Sequence, residues 1–459
     1  MTATISGATR MTPAQLVSIA NALARTDDAI RARVALVAVS TLAAVLYLWD
    51  LTVSGYANTY YSMAAQAASQ SWSAWFFGSL DAGGFITLDK PPLATMLMGL
   101  SVRVLGLSPL TVLLPQALLG VATVGLLFLI VRGSFGTVAA TIAAVVMALT
   151  PVAVLIYRYD NPDALLTFLL VASAGTLLRA IETGRGRWLV ATGVLIGAAF
   201  LTKYLQAYLV VPGFVFAYLV AARGSLRRRL AEVVAFGVVT LAASGWWVVA
   251  VELIPASSRP YIGGSTRNSV LDLIFGYDGL GRIFGIFGFG PGPAGPSAAG
   301  AAGQVGGGPA GPSGAGGGFG GAPGLLRMFN DRFAGQIAWF LPASVCGLAA
   351  GIWARRRAGR RDRRLAAYLV WGSWLVTTVL VFSLMSGIIH SYYTVALAPA
   401  VAALAGAGAA EVWPRRRHPL ARVGLAASIA GTGALAAALL SATPAFAPGL
   451  GFAILAVAV

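Results

Sequence analysis

Long apolar runs separated by short polar breaks limit how this chain can fold more than any other feature. A hydrocarbon core about 30 Å thick needs roughly 20 apolar residues per helix. Of the 459 residues, 58% are hydrophobic and 10% are charged, which is more apolar surface than one soluble core can hide. The sequence therefore predicts an all-α polytopic membrane protein with about 11 transmembrane helices, at 34–51, 110–131, 138–156, 164–180, 188–202, 205–221, 230–251, 336–354, 366–386, 392–410 and 423–443.

Arginines cluster between these runs and predict the orientation of the chain. Basic residues are enriched in short cytoplasmic loops. If the N-terminus is inside, every cluster faces the cytoplasm, provided that the apolar stretch Pro92–Leu107 is a re-entrant or interfacial helix rather than a crossing. The net charge of +17 then reflects membrane orientation and not nucleic-acid binding. The clusters are Arg25, Arg31 and Arg33; Arg132; Arg179, Arg185 and Arg187; Arg223 and Arg227–Arg229; Arg355–Arg364; and Arg415–Arg417.

The breaks between the runs also divide the chain into four parts. We expect a cytoplasmic N-terminal segment at 1–33, a transmembrane region with the candidate site at 34–284, a disordered Gly/Pro/Ala-rich extracytoplasmic linker at 285–324, and C-terminal transmembrane helices at 325–459. The first extracytoplasmic loop is 50–91. Because the first part lacks the features of a cleaved signal peptide, we expect the first span to be kept as an anchor. The end at Val459, inside a new apolar run, indicates a fragment or a missing following domain.

Only two of the 32 basic residues are lysines, Lys90 and Lys203, and both fall in extracytoplasmic breaks. A GC-rich coding bias explains the scarcity of lysine without any function. Alternatively, a compact ammonium is needed beside a phosphate or a reacting oxygen, where a planar guanidinium does not substitute. Asp89 and Lys90 precede two prolines at a helix start, which fixes them at the membrane surface. There they either face an anionic lipid head group or form an interfacial salt bridge.

Three other polar stretches hold candidate functional residues. The turn between the third and fourth spans could be an ordinary helix cap with a second role. The aromatic first loop is typical of an interfacial belt, or of the wall of a sugar or lipid site. The histidine-tyrosine turn between two late spans is more often structural than catalytic. The candidates are Asp50, Asn58, Tyr61, Asp160, Asn161, Asp163, His390, Tyr392 and Tyr393.

The sequence offers no usual metal site. Cys346 is the single cysteine, which excludes a disulfide framework and a cysteine-based metal site. The two histidines, His390 and His418, fall in opposite compartments and cannot share a zinc ion.

Five short motifs follow one another along the chain: Tyr56–Tyr61, Asp89–Leu93, Asn161–Asp163, Leu201–Lys203 and His390–Tyr393. Their order resembles bacterial membrane glycosyltransferases of the protein O-mannosyltransferase and aminoarabinose-transferase superfamily, which have the GT-C fold. The resemblance covers about residues 34–410 without the Gly-rich linker. The acid-Lys-Pro-Pro motif is the most specific of the five.

The resemblance implies a sugar donor carried on a polyprenyl phosphate and an acceptor that is a protein, a lipid or a cell-envelope glycan. It implies a site on the outer side of the bacterial cytoplasmic membrane, with no nucleic-acid partner. Lys90 looks like the phosphate-binding lysine, with Lys203 as a second contact and Asp89 as the neighbouring acid. The chemistry would be an inverting displacement assisted by a carboxylate. No cofactor is certain, and a divalent metal stays open.

One departure from the family pattern concerns the catalytic acid. Family members carry an acidic residue in the first loop where this chain has Ala57-Asn58. Asp50, Asp81 and Asp89 are the remaining acids of this loop, and Asp50, which lies nearest the first span, is the preferred candidate to replace it. A catalytically degenerate membrane scaffold therefore stays an alternative. So does a transporter or lipid flippase, although transporters place ionisable residues near the membrane midplane and the centres of these spans hold none.

Overall fold

A computed structural model describes residues 13–284, 320–443 and 445–458. Apart from two isolated β-bridges, these residues form helices, turns and loops, which confirms the all-α class. The α-helices are α1 (Pro13–Leu48), α2 (Thr59–Gln70), α3 (Trp72–Phe77), α4 (Leu93–Leu105), α5 (Pro109–Phe135), α6 (Thr137–Leu149), α7 (Pro151–Ile156), α8 (Asp163–Thr183), α9 (Gly186–Lys203), α10 (Val211–Ala221), α11 (Leu226–Leu253), α12 (Val270–Phe275), α13 (Gly281–Phe284), α14 (Ala334–Ile337), α15 (Leu341–Arg355), α16 (Arg363–Leu384), α17 (Ala398–Val412), α18 (Pro419–Ser441) and α19 (Leu450–Ala458).

Nine helical segments in the described part of the chain are long and apolar enough to cross a membrane. One of them, Gly186–Ala221, contains two of the predicted crossings, because the chain turns back after Lys203. Tyr204 has a φ of +37°, a conformation that ends the helix. A Cβ on Gly184, before α9, would lie 3.5 Å from Cδ of Arg223, after α10. The two ends of this segment therefore meet on one side of the molecule.

A further crossing is made by α6 and α7 together, each of which is short. At the start of α6, the Thr137 hydroxyl donates to Asp28 at 2.9 Å. After α7, the Arg158 guanidinium donates to the carbonyls of Leu46 and Trp49 at 3.1 and 2.6 Å. The pair therefore covers the same depth as α1 from residue 28 to residue 49. Nine segments, one of which contains two crossings, and the pair α6 and α7 together give the predicted number of about 11 crossings in the described residues.

Helix α4 does not cross but lies along the first loop. Near its start, the Trp75 indole donates to the Met96 carbonyl at 2.9 Å. At its end, Arg103 donates to the Ala68 carbonyl at 3.0 Å. Both ends thus contact α2 and α3, and the helix is shorter than the segments that are long enough to cross a membrane; a re-entrant or interfacial helix stays the prediction here.

Ion pairs join the arginine-bearing breaks on one side of the molecule, which we call the arginine face. Arg132 pairs with Asp28 at 3.1 Å, Arg363 contacts Glu182, and Arg355 pairs with Glu411 at 2.8 Å. Helix α9 leads away from this face over 18 residues, or about 27 Å, and ends at Lys203. The opposite side, with Lys90 and Lys203, is the site face.

Of the Gly-rich segment 285–324, residues 285–319 lie outside the described residues. Its last five residues are described and pack against the end of α16. The Gly324 N–H donates to the Ser383 carbonyl at 2.8 Å, and the Arg327 guanidinium donates to the Met385 carbonyl at 2.6 Å. The chain therefore returns from this segment directly beside the site face.

Small residues let the central helix α17 approach its neighbours closely. Nearly all of its side chains are buried, and its backbone packs against α6 and α15. A Cβ on Gly406 would lie 2.3 Å from the Ala139 carbonyl oxygen, and one on Gly408 would lie 2.3 Å from Cα of Gly347. Such contacts supply the van der Waals packing that holds helices together in lipid.

We predict that Gly406→Ala lowers the stability of the folded protein by about 1–3 kcal/mol or more, because the added methyl group meets a backbone oxygen that cannot move freely. Thermal unfolding of the purified protein in detergent measures this. Gly424→Ala in α18, where nothing lies within 4 Å of the added carbon, is the matched control and should be neutral or slightly stabilising. Equal effects of the two changes would contradict the packing account.

Candidate functional site

Lys90 stands at the centre of a charged cluster on the site face. Its ammonium lies 2.7 Å from an Asp89 carboxylate oxygen and 2.8 Å from one of Asp278. The side chain of Lys90 is 8% exposed, and that of Asp278 is 4% exposed. A buried ammonium needs such partners, because an unpaired charge in a low-dielectric environment is very costly.

Local backbone contacts fix the Asp89-Lys90 segment in place. The Thr87 N–H donates to the Tyr261 carbonyl at 2.8 Å, and the Leu88 N–H donates to the Gly78 carbonyl at 2.9 Å. Gly263 permits this close approach, since a Cβ there would lie 2.1 Å from the Thr87 carbonyl oxygen. The prolines that follow then lead directly into α4. The segment is thus held by the first loop on one side and by residues 261–263 on the other.

Asp278 and Arg282 complete the cluster, and neither belongs to the motifs that the sequence shows. Asp278 lies in a single π-helical turn, Gly276–Leu280, a rare element that often occurs at functional sites. Nε of Arg282 donates to Asp278 at 2.9 Å, and its guanidinium also donates to the Tyr393 hydroxyl. The only sequence signal for the pair is an acid and a base at i and i+4, just before the Gly-rich segment.

Lys203 forms a second buried ion pair beside the first. Its ammonium lies 2.6 Å from an Asp163 carboxylate oxygen and 3.8 Å from the centre of the Tyr393 ring. The other carboxylate oxygen of Asp163 and the amide nitrogen of Asn161 are buried and have no hydrogen-bond partner among the described residues. The pair therefore keeps unused hydrogen-bonding capacity within the site.

The histidine-tyrosine turn packs against both lysine pairs. The rings of His390 and Tyr392 stack with centres 5.2 Å apart, and Tyr393 meets them edge-on. Burial, together with the nearby positive charges of Arg282 and Lys203, lowers the pKa of His390 to about 4. His390 is therefore neutral at physiological pH.

Asp89 and Lys90 are both ionised. Burial alone would raise the pKa of Asp89, but the Lys90 ammonium outweighs burial and lowers it. Burial alone would lower the pKa of Lys90, but Asp278 and Asp89 raise it. The Tyr60 hydroxyl donates to the Asp89 carboxylate at 3.2 Å and accepts the Asp89 N–H at 3.1 Å, which orients the acid.

Asp160 accepts hydrogen bonds from the stretch of the first loop in which this chain lacks the acidic residue of the family pattern. Its carboxylate accepts the Asn58 N–H at 2.7 Å and the Ser62 hydroxyl at 2.6 Å. The side chain is fully buried, and burial raises the pKa of Asp160 to about 7, although its hydrogen bonds counteract this. The structure thus places a carboxylate beside Ala57-Asn58, and this carboxylate belongs to the turn before α8.

The predicted site residues fall into three groups. The structure brings Asp89, Lys90, Asp163, Lys203, His390, Tyr392 and Tyr393 together, with Asn161 next to them and Tyr61 packed on Tyr60. Asn58 and Asp160 bind each other at the edge of the loop. Asp50 stays apart: its side chain is exposed, and its carbonyl accepts the Arg158 guanidinium at 2.9 Å. In the described ranges no three His, Cys, Asp or Glu residues form a group that could hold a metal ion.

A cavity of about 60 Å³ opens beside the two lysines. Its polar end carries three cations and one carboxylate, whereas its other walls are mostly apolar side chains of the 3₁₀ turn after α9, of α13 and of α16. This arrangement of cations and apolar walls matches the anionic head of a ligand and the start of its hydrocarbon chain. The lining residues are Lys90, Lys203, Tyr204, Leu205, Gln206, Leu209, Asp278, Gly279, Arg282, Ile283, Val381, Phe382, Met385 and Tyr393.

Comparison with known proteins points to membrane glycosyltransferases. Residues 89–248 match the family described as "Dolichyl-phosphate-mannose-protein mannosyltransferase". Two Bacillus subtilis (strain 168) proteins are similar over most of the chain. "Putative mannosyltransferase YycA" is 37% identical over 82% of this chain and 63% of its own length, and "Putative mannosyltransferase YkcB" is 36% identical over 80% and 60%. The chain thus spans about three fifths of these relatives.

Two solved structures share the fold. ArnT from Cupriavidus metallidurans bound to undecaprenyl phosphate superposes with a TM-score of 0.55 at 19% identity, over 88% of this chain and 65% of that one. The archaeal oligosaccharyltransferase AglB from Archaeoglobus fulgidus, in complex with an inhibitory peptide and a dolichol-phosphate, gives 0.54 at 16% identity, over 85% and 51%. These similarities confirm the predicted GT-C fold.

We predict that Asp160 makes the protein less stable as the pH rises. Its pKa in the folded protein is about 7, against 3.8 for a free side chain. Between these values the folded protein keeps a proton that the unfolded chain has released, so stability present near pH 4 is lost by about pH 7. The loss amounts to at most about 4 kcal/mol.

Thermal unfolding of the wild type and of Asp160→Asn between pH 4 and pH 7.5 measures this difference. His390 acts in the opposite direction, because a lowered histidine pKa makes stability rise with pH, but it is present in both proteins and cancels. Asp331→Asn, at an exposed acid, is the control for the change of charge. If the wild type and Asp160→Asn show the same pH dependence, the account of Asp160 is wrong.

Proposed function

Because the chain matches a protein mannosyltransferase family over residues 89–248 and is 37% identical to a putative mannosyltransferase, we propose that it transfers a sugar from a polyprenyl-phosphate donor to an extracytoplasmic acceptor. The observation that carries this proposal is the cavity with Lys90, Lys203 and Arg282 at one end and apolar walls at the other. A phosphate fits the cations, and the polyprenyl chain fits the apolar walls. The family description and the names of the relatives make mannose the first sugar to test.

Lys90 is the proposed phosphate ligand. An ammonium next to phosphate oxygens forms charge-assisted hydrogen bonds, which are about twice as strong as neutral ones. The carboxylate of Asp278 accepts hydrogen bonds from the same ammonium at 2.8 and 3.0 Å. The donor phosphate therefore replaces Asp278 as the main anion on Lys90, while Asp278 keeps its bonds to Arg282.

The proposed reaction is a single displacement at the anomeric carbon. The acceptor hydroxyl attacks this carbon, the bond from the carbon to the phosphate oxygen breaks, and polyprenyl phosphate leaves with the bonding electrons. Lys90 and Lys203 stabilise the negative charge that gathers on the leaving phosphate. The configuration at the anomeric carbon inverts.

Asp89 is the carboxylate best placed to assist the acceptor. It belongs to the cluster, its side chain is 22% exposed, and Tyr60 orients it. It can accept the proton of the acceptor hydroxyl or stabilise the positive charge that develops on the sugar. Asp50 stays a prediction from sequence alone. Asp160 has its oxygens occupied by Asn58 and Ser62, and so we assign it a positioning role.

We place the site face outside the cytoplasmic membrane of a bacterium. The arginine face then lies in the cytoplasm, in line with the enrichment of basic residues in cytoplasmic loops. Both similar relatives come from Bacillus subtilis (strain 168). A protein, a lipid or a cell-envelope glycan can each supply the acceptor hydroxyl.

We predict that Lys90→Ala weakens donor binding and sugar transfer about ten- to a hundredfold, because it removes a charge-assisted contact worth about 1.5–3 kcal/mol. Lys90→Arg should restore only part of the loss, since a planar guanidinium cannot occupy the same point. Transfer from a synthetic polyprenyl-phosphate mannose, together with donor affinity, is measured on the full chain in lipid nanodiscs.

The competing interpretation is that Lys90 only anchors α4 through its salt bridges. It predicts that Lys90→Ala lowers thermal stability while donor affinity per folded molecule stays unchanged, and that outcome would end the phosphate proposal. Arg332→Ala, an exposed residue outside the cavity lining, is the control for loss of one positive charge on the same side. A wild-type protein without transfer would favour a transporter or an inactive scaffold.

A further inference from the structure

A second cavity lies on the arginine face, on the side of the molecule opposite the lysine pairs. It has a volume of about 250 Å³ and forms where α8 and α10 end and α16 begins. Its lining combines three arginines and one acid with small apolar side chains from the helix ends. The lining residues are Ile181, Glu182, Ala221, Arg223, Arg361, Arg363 and Ala366.

The charge of this cavity is not balanced by the protein. Glu182 contacts Arg363 and lies 3.6 Å from Arg179, so its carboxylate is already shared. Arg223 and Arg361 form no ion pair with an acid in the described part of the chain. Two guanidinium groups therefore face the cavity region with their charge uncompensated.

The loops that carry these arginines are fixed to each other. Gly184 ends α8 with a φ of +66°, and Arg223 packs directly over it. The Arg228 guanidinium donates to the Gly184 carbonyl at 3.1 Å, and Arg360 donates to the Gly224 carbonyl at 3.2 Å. The cavity is thus a built feature between three loops and not a gap between free side chains.

We propose that this cavity binds the phosphate head group of an anionic membrane phospholipid. Guanidinium groups match phosphate oxygens in pairs of parallel hydrogen bonds. Basic pockets between transmembrane helices on the cytoplasmic side suit anionic head groups. Ile181, Ala221 and Ala366 lie in the terminal turns of helices that are long and apolar enough to cross a membrane, and the ends of such helices lie near the lipid head groups. The chemistry is shared with free phosphate, but this position favours a lipid.

The proposal is tested by thermal unfolding of the purified full chain in a neutral detergent. A ligand that binds only the folded protein raises its unfolding temperature in a concentration-dependent way. Added phosphatidylglycerol should stabilise the wild type, whereas phosphatidylcholine and inorganic phosphate at equal concentration should not. Combined Arg223→Gln and Arg361→Gln should raise the phosphatidylglycerol concentration needed by about tenfold or more.

The matched control is combined Arg227→Gln and Arg357→Gln, which removes the same charge from exposed arginines outside the cavity lining. It should leave the response to phosphatidylglycerol within about twofold of the wild type, because a diffuse surface charge contributes little at one site. If both double variants weaken the response to phosphatidylglycerol equally, the proposal is wrong, and the overall positive charge of the arginine face explains the response. An equal response to inorganic phosphate would assign the cavity to a soluble anion, and no response to phosphatidylglycerol would also overturn it.

Discussion

The buried Lys90 ammonium is the interaction on which the site depends. An isolated charge of this kind cannot be kept in a low-dielectric interior. Two carboxylates pair with it: that of Asp89, the preceding residue, and that of Asp278, 188 positions further along the chain. The first loop, the π-helical turn and the histidine-tyrosine turn all meet around this charge. In the proposed function a phosphate takes the place of Asp278 on Lys90, so the position that the pairing fixes for this ammonium is also the one that an anionic ligand would use.

The membrane-spanning part serves mainly to hold these segments at one level. Helix α9 carries Lys203 away from the arginine face, and α8 starts with Asp163 directly beside it. The close packing of α17 against α6 and α15 leaves little room for these helices to shift. The two charged sides therefore differ. On the arginine face, ion pairs of arginines join the ends of the helices, and on the site face, lysines, acids and tyrosines surround a cavity.

Local patterns predicted the fold class and several residues that the structure brings together, whereas contacts between distant segments could not be predicted from them. Lys90, Lys203 and Tyr393 stood out because lysines are scarce and the motifs are short. Asp278 gave no such signal, since its role depends on a π-helical turn that brings it to Lys90. The clamp between Asp160 and Asn58 joins residues 102 positions apart, so the sequence showed only that the loop lacked an acid.

The proposed function requires the cavity beside Lys90 to hold the phosphate end of a polyprenyl donor. The most direct measurement is photo-crosslinking of the full chain in membranes with a polyprenyl phosphate that carries a diazirine on its first isoprene unit. The account predicts label on the apolar cavity walls, at Leu205, Leu209, Ile283, Val381, Phe382 and Met385, and its loss when unlabelled polyprenyl phosphate competes. Label confined to other helices, or unaffected by the competitor, would contradict it.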